Sequence, residues 1–204
     1  MTPEGKDLMA SLPPYSEQDA LALSSRLRKD GYAPELIAEA LTQSRLREKA
    51  SAKFGDFAER MFFTAAGLEQ ATRLTVAAHH ASRFRNAGAT HIIDMGCGIG
   101  ADSMACAALG LRVTSIEVDP LTACFARANL APFPEAEVVE ADARHVDIAA
   151  VGADAIWMDP ARRDAAGHRL KNPEDWAPPL SMALGVARHF ASAGIKVAPG
   201  IAHG

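Results

Sequence analysis

Apolar positions in the first 88 or so residues recur every three or four places, the period of a helix with one buried face. Ser16, with Asp19 three residues on, makes a helix start resembling a capping box. That helix is expected to run to about Lys29 and stop at Gly31. Pro34 suits the first turn of a second helix, in which Leu36, Ile37, Ala40 and Leu41 repeat at helical spacing to about Lys53, ahead of Gly55. A third helix is predicted over residues 56–66, with Met61-Phe62-Phe63 in the core. A fourth is predicted over residues 69–85, closed by Asn86 and Gly88.

The pattern then changes to short apolar runs alternating with helices. Strands are expected at 91–95, 111–116, 137–139, 155–158 and 195–198. Helices are expected at 101–109, 121–129 and 179–193. Strand and helix in alternation imply a parallel sheet wound through crossovers, an α/β Rossmann-like fold. The predicted organisation is an α-helical extension over 1–88 and a doubly wound α/β domain over 89–204. Residues 159–178 form one long irregular connection, of the kind that carries function at strand ends.

The chemistry gathers at the strand ends. In a doubly wound sheet, ligands lie beyond the carboxyl ends of the central strands. The first strand runs into Asp94-Met95-Gly96-Cys97-Gly98-Ile99-Gly100, where glycines allow positive φ and close approach of a ligand. Gly96-x-Gly98-x-x-Ala101 also matches the dinucleotide fingerprint. Asp94 separates the two ligand classes, because a carboxylate there repels a pyrophosphate but pairs with an ammonium group. Glu117 ends the second strand, where it can accept ribose hydroxyls. Asp142, after the third, can accept from an exocyclic amine such as adenine N6.

These residues together resemble the class I S-adenosylmethionine-dependent methyltransferases. The glycine turn looks like their first motif, and Val113-Thr114-Ser115-Ile116-Glu117-Val118-Asp119-Pro120 like their second. Glu140-Ala141-Asp142-Ala143 looks like the third and Asp154-Ala155-Ile156-Trp157-Met158-Asp159-Pro160 like the fourth. The likeness covers about residues 91–198. It implies a cofactor site of Asp94, Gly96, Cys97, Gly98, Gly100, Glu117, Val118, Asp142 and Ala143, with no metal, and catalysis at Asp159 and Pro160. A closer resemblance, to bacterial methyltransferases that carry a THUMP-like domain, lies in Ser44-Arg45-Leu46-Arg47, Lys53-Phe54-Gly55, Gly67-Leu68-Glu69-Gln70-Ala71-Thr72 and Asp159-Pro160-Ala161-Arg162-Arg163. The helical front end is similar to that of trimethylguanosine synthases, which implies that Gln70 and Thr72 touch the methionine end of the cofactor. Both likenesses imply an RNA substrate.

One departure concerns the acceptor. Nucleic-acid amino-methyltransferases carry Asp/Asn-Pro-Pro-aromatic after the fourth strand, whereas Ala161 and Arg162 stand here. Arg162 and Arg163 can instead bind a substrate phosphate or carboxylate through their planar forks, or pair with Asp164 as a solvated loop. A second departure is the strand count: five are found where a complete sheet of this class has seven, so the final hairpin is expected to be missing and the chain to be a fragment. Two rival readings remain: an NAD-type oxidoreductase on the same turn, and a non-catalytic binding module.

Composition narrows the field further. The formal charge is −4, with 12 basic against 11 acidic residues in 1–90 and 9 against 14 in the rest, so a strong nonspecific grip on nucleic acid is not expected. Three cysteines, Cys97, Cys106 and Cys124, give neither a disulfide framework nor a zinc knuckle. Cys97 reads as a small space-filler, since no histidine is poised to activate it. His79 and His80 are adjacent on a helix and point about 100° apart, so they do not chelate one ion easily. Asp119 reads as a helix start ahead of Pro120. No signal peptide or apolar run of about 18 residues is visible, so a cytoplasmic, membrane-free setting is expected.

Overall fold

The structure is a computed structural model that describes residues 2–163 and 168–198. Two compact units make up the chain, Met1–Gln70 and Ala71–Gly204.

The first unit holds four helices: α1 (Pro3–Ser11), α2 (Ala20–Lys29), α3 (Pro34–Phe54) and α4 (Ala65–Gln70). The sequence pattern does not anticipate α1, which starts with the Thr2 hydroxyl accepting from Gly5 N–H at 3.2 Å and Pro3 in the first turn. Helix α3 begins at Pro34 and ends at Gly55, whose φ of 56° no helical residue shares. The helix expected over 56–66 is instead a 3₁₀ turn, Gly55–Arg60, followed by extended chain. The reason lies in α3. Gln43, buried, donates to Phe63 O at 2.8 Å and accepts Phe63 N–H at 3.0 Å, and Arg47 Nε donates to Met61 O at 2.9 Å. Those side chains satisfy backbone groups that a helix would otherwise pair. Met61, Phe62 and Phe63 are buried, as their apolarity suggests.

The second unit opens with α5 (Leu74–Asn86). The single helix expected over 69–85 is therefore two, α4 and α5, because Arg73 adopts an extended conformation (φ −61°, ψ 140°). Five strands follow: β1 (His91–Met95), β2 (Arg112–Glu117), β3 (Ala136–Glu140), β4 (Ala155–Met158) and β5 (Ser192–Ile195). All neighbours pair in parallel, in the order β3-β2-β1-β4-β5. Helices α6 (Ala101–Ala108), α7 (Pro120–Leu130) and α8 (Leu180–Ala187) make three of the connections, and two 3₁₀ turns, Ala143–His145 and Ala149–Val151, join β3 to β4.

Side chains alternate between two faces of this sheet. Ile92, Val113, Ala155 and Trp157 join Ala77, Ala81 and Phe84 of α5 and Ala105 of α6 in one core. Ile93, Met95, Ile116, Ile156 and Met158 join Ala183 of α8 in the other. Sheets buried on both faces read as nearly continuous apolar runs, which is why β1 and β4 are easy to find.

The last strand is displaced from expectation. It lies at Ser192–Ile195 rather than 195–198, and α8 ends at Ala187. Register explains the shift. Gly194 pairs with Trp157, and a Cβ at Gly194 would stand 2.7 Å from the Trp157 ring. Only a residue without a side chain fits under that indole. The described residues of this connection, 159–163 and 168–178, are also more ordered than an irregular loop. Ala161 and Ala177 form an antiparallel bridge, Leu170 N–H donates to Arg162 O at 2.8 Å, and buried Trp176 donates to Leu170 O at 3.3 Å.

Candidate active site

The strand order reverses direction between β1 and β4, so a crevice opens at the carboxyl ends of these strands. The turn after β1 is built from glycines with positive φ: 81° at Gly96, 56° at Gly98 and 88° at Gly100. Gly96 and Cys97 donate their backbone N–H groups to Ile116 O at 2.9 and 3.0 Å, which pins the turn to the end of β2. A Cβ at Gly96 or Gly98 would meet nothing within 4 Å, so the cradle is open on the ligand side. At Gly100 it would meet Leu130 at 3.3 Å, so this glycine serves the packing of α7.

Glu117 follows from the end of β2. One of its oxygens accepts Gly98 N–H at 3.0 Å and the other accepts Asp119 N–H at 2.9 Å. Asp119 in turn caps α7, accepting from Thr122 N–H at 2.8 Å and the Thr122 hydroxyl at 2.6 Å. Gly96, Glu117, Val118, Asp142 and Ala143 line one cavity of about 380 Å³, closed on its far side by Trp176 and neighbouring prolines. Val118 is 62% exposed, an apolar wall turned to open space. The Asp142 carboxylate accepts from Arg144 N–H and from its guanidinium, which holds it well below the usual carboxylate range.

Asp94 lies beneath the turn and is 4% exposed. Its Oδ2 accepts the Ser103 hydroxyl at 2.5 Å, and Ser103 accepts from Ser115 at 2.8 Å. Burial, then the neighbouring Asp102, push the Asp94 carboxyl up to about 8. Asp102, in the first turn of α6, pairs with His80 Nδ1 at 2.8 Å, and the His80 ring lies 4.2 Å from that of Trp157. Burial also pushes the Cys97 thiol well up, helped by Asp94 and Glu117, so it stays protonated.

Asp159 stands at the end of β4, followed by buried Pro160. Lys196, one residue past β5, donates to Asp159 Oδ2 at 2.5 Å and to the Thr72 hydroxyl at 3.3 Å. Burial raises the Asp159 carboxyl and Lys196 pulls it back. Arg162 is half-buried and acts electrostatically on Asp159, while Arg163 is exposed. Asp164, the other partner considered for these arginines, lies outside the described residues.

Two groups form among the sequence-derived residues, while Asp94, Cys97, Gly98 and Gly100 lie outside the cavity lining. Gly96, Glu117, Val118, Asp142 and Ala143 share the cavity. Thr72 and Asp159 meet through Lys196. Gln70 is exposed at the end of α4, in the first unit. Three contributors were missed: Lys196, Ser103 and the His80–Asp102 pair. A lone charged residue inside the apolar run 195–198 was a visible signal for the first; the others carried none. Among the described residues, no group of three or more His, Cys, Asp or Glu side chains could hold a metal ion.

This geometry fits an adenosyl cofactor. It offers an apolar wall with acids on its rim, an open glycine cradle and a buried carboxylate beside it. Residues 93–161 match the family described as Methyltransferase domain. The α/β unit thus carries a stretch that matches methyltransferase domains. An uncharacterized S-adenosylmethionine-dependent methyltransferase of Mycobacterium tuberculosis strain H37Rv is 34% identical over 183 residues, which is 86% of this chain and 48% of the relative. The same figures hold for its counterpart in strain CDC 1551 / Oshkosh. The chain therefore spans about half the length of the curated relatives it matches.

Among solved structures, a candidate methyltransferase of Porphyromonas gingivalis W83 is similar to this one with a TM-score of 0.56 and 22% identity, over 74% of this chain and 43% of that one. A candidate RNA methyltransferase of Pyrococcus horikoshii gives 0.51 and 19%, over 76% and 74%. At these identities the likeness concerns the methyltransferase fold alone. Residues 1–50, ahead of the methyltransferase domain, match a family described as Domain of unknown function (DUF8688). No helix among the described residues is long and apolar enough to cross a membrane.

Proposed function

We propose that the chain transfers the methyl group of S-adenosylmethionine to an RNA acceptor in the cytoplasm. The observation that carries the transfer reading is Asp159, 24% exposed and one residue past β4, whose last pair Met95–Met158 sets it beside the start of the glycine turn, with Gly96 of that turn lining the cavity of Glu117, Val118 and Asp142. The oxidoreductase alternative finds no support in the comparisons, whose matched family is a methyltransferase domain.

Glu117 would receive the ribose hydroxyls, Val118 and Ala143 the faces of the adenine, and Asp142 its amine. Asp94 would answer the ammonium of the methionine moiety, with Gly96, Cys97, Gly98 and Gly100 shaping the turn and Thr72 at the methionine end. The cofactor, when bound, supplies a sulfonium: the methyl–sulfur bond breaks with its electron pair left on sulfur, and the acceptor lone pair forms the new bond to carbon. Asp159 orients the acceptor by taking a hydrogen bond from its N–H or O–H, and receives the proton that this atom sheds. Pro160 stiffens the chain behind it. Burial leaves the Asp159 carboxyl more basic than an ordinary one, which suits a proton acceptor. Such a displacement draws mainly on alignment and preorganised charge.

Support for RNA comes from the motif resemblance and from Arg162 and Arg163, whose forks suit a phosphate beside the acceptor. The test is transfer of labelled methyl from S-adenosylmethionine to total bacterial RNA, with Asp159→Ala as the control. Label in RNA with the wild-type chain and none with the variant is expected. Binding of S-adenosylhomocysteine without label in RNA would overturn the substrate, and absence of any binding would overturn the cofactor site.

A further inference from the structure

We propose that Lys196 is a positioning residue for Asp159: its ammonium occupies Oδ2 and keeps the carboxylate ionised, so that Oδ1 alone receives the acceptor. This rests on the reading that Asp159 meets the acceptor.

The placement begins in the sheet. Lys196 N–H donates to Met158 O at 2.8 Å, continuing the β4–β5 ladder one residue beyond its last pair. That bond sets Lys196 beside Asp159. Two contacts hold the ammonium, Asp159 Oδ2 at 2.5 Å and the buried Thr72 hydroxyl at 3.3 Å. Asp159 Oδ1 has no hydrogen-bond partner among the described residues.

Charge makes the lysine necessary. Asp102 of α6 acts on Asp159 and disfavours a further negative charge there. His80 of α5 is committed to Asp102. Arg162, three residues on, is the other cation acting on Asp159, and among the described residues it makes no hydrogen bond to it. Without Lys196, Asp159 would sit largely buried beside Asp102, and a carboxyl in such a place takes up a proton. A protonated Asp159 could neither receive the acceptor proton nor hold one orientation. An ammonium fixed at two points also immobilises the carboxylate, which a surface ion pair would not.

The experiment is a carbon-13 carboxyl NMR titration of the full 204-residue chain without ligand. The Asp159 signal is assigned from Asp159→Asn. Lys196→Met is expected to move the Asp159 midpoint up by about 1–3 pH units, the range for loss of an adjacent cation. Lys196→Arg is expected to restore it. Should Lys196→Met not fold, Lys196→Gln removes the same charge with a donor retained. An unmoved midpoint with only a lower melting temperature would reduce Lys196 to a staple between strands and overturn the proposal. Failure of the wild-type chain to bind S-adenosylhomocysteine would overturn the cofactor reading instead, and the titration would still decide the coupling.

Discussion

Gly98 N–H donates to Glu117 Oε2 at 3.0 Å, so the glycine turn after β1 and the acid at the end of β2 form one unit. The second Glu117 oxygen is tied to Asp119 N–H at 2.9 Å. Two backbone donors thus hold the carboxylate in a single orientation at the edge of the cavity.

Glu117→Ala is therefore expected to weaken S-adenosylhomocysteine binding by about 10–100-fold, the worth of a charge-assisted hydrogen bond. Calorimetry measures it. An unchanged dissociation constant would remove Glu117 from the cofactor site.

Asp94 makes stability depend on pH. Its carboxyl is raised from an ordinary 3.8 to about 8 in the folded chain. Between those values the folded state holds a proton that the unfolded state has released, so stability falls as pH rises through that window. Asp159 is raised too, and adds in the same direction. Asp94→Asn is expected to flatten most of the slope in denaturant unfolding of the ligand-free chain. A slope equal to wild type would show that Asp94 ionises normally.

Gly100→Ala tests the packing of the turn against α7. The backbone there has φ 88°, and the added methyl would approach Leu130 at 3.3 Å. A left-handed alanine costs about 1–2 kcal/mol. In a chain of this length that lowers the melting temperature by roughly 2–8 °C. Melting at the wild-type temperature would mean that the turn relaxes freely.

Asp159→Ala separates chemistry from binding. Loss of a positioned proton acceptor is expected to slow transfer by about 10²–10⁴-fold. S-adenosylhomocysteine affinity should stay close to wild type, because Asp159 is absent from the lining of the adenosine cavity. Equal loss of affinity and rate would place Asp159 in the cofactor site.

What the sequence determined by itself is local. An apolar run closed by glycines becomes β1 and its turn, because only glycine accepts the positive φ at Gly96, Gly98 and Gly100 without strain. Glu117 was legible as a strand end because β2 is buried from Val113 to Ile116 and the first charge after that run marks where it surfaces. By contrast, β3 is an edge strand with Glu137 and Glu140 in it, so Asp142 was legible only through its motif. Tertiary structure decided the rest. The Lys196–Asp159 contact depends on the register of β4 and β5, which is set by Gly194 lying under Trp157. The extended path of residues 61–63 depends on Gln43, twenty residues back on α3. The burial that raises Asp94 depends on α6 folding over β1 and bringing Ser103 and Asp102 to it. Each joins residues far apart in the chain, and neither their spacing nor their hydropathy records a partner that only packing supplies.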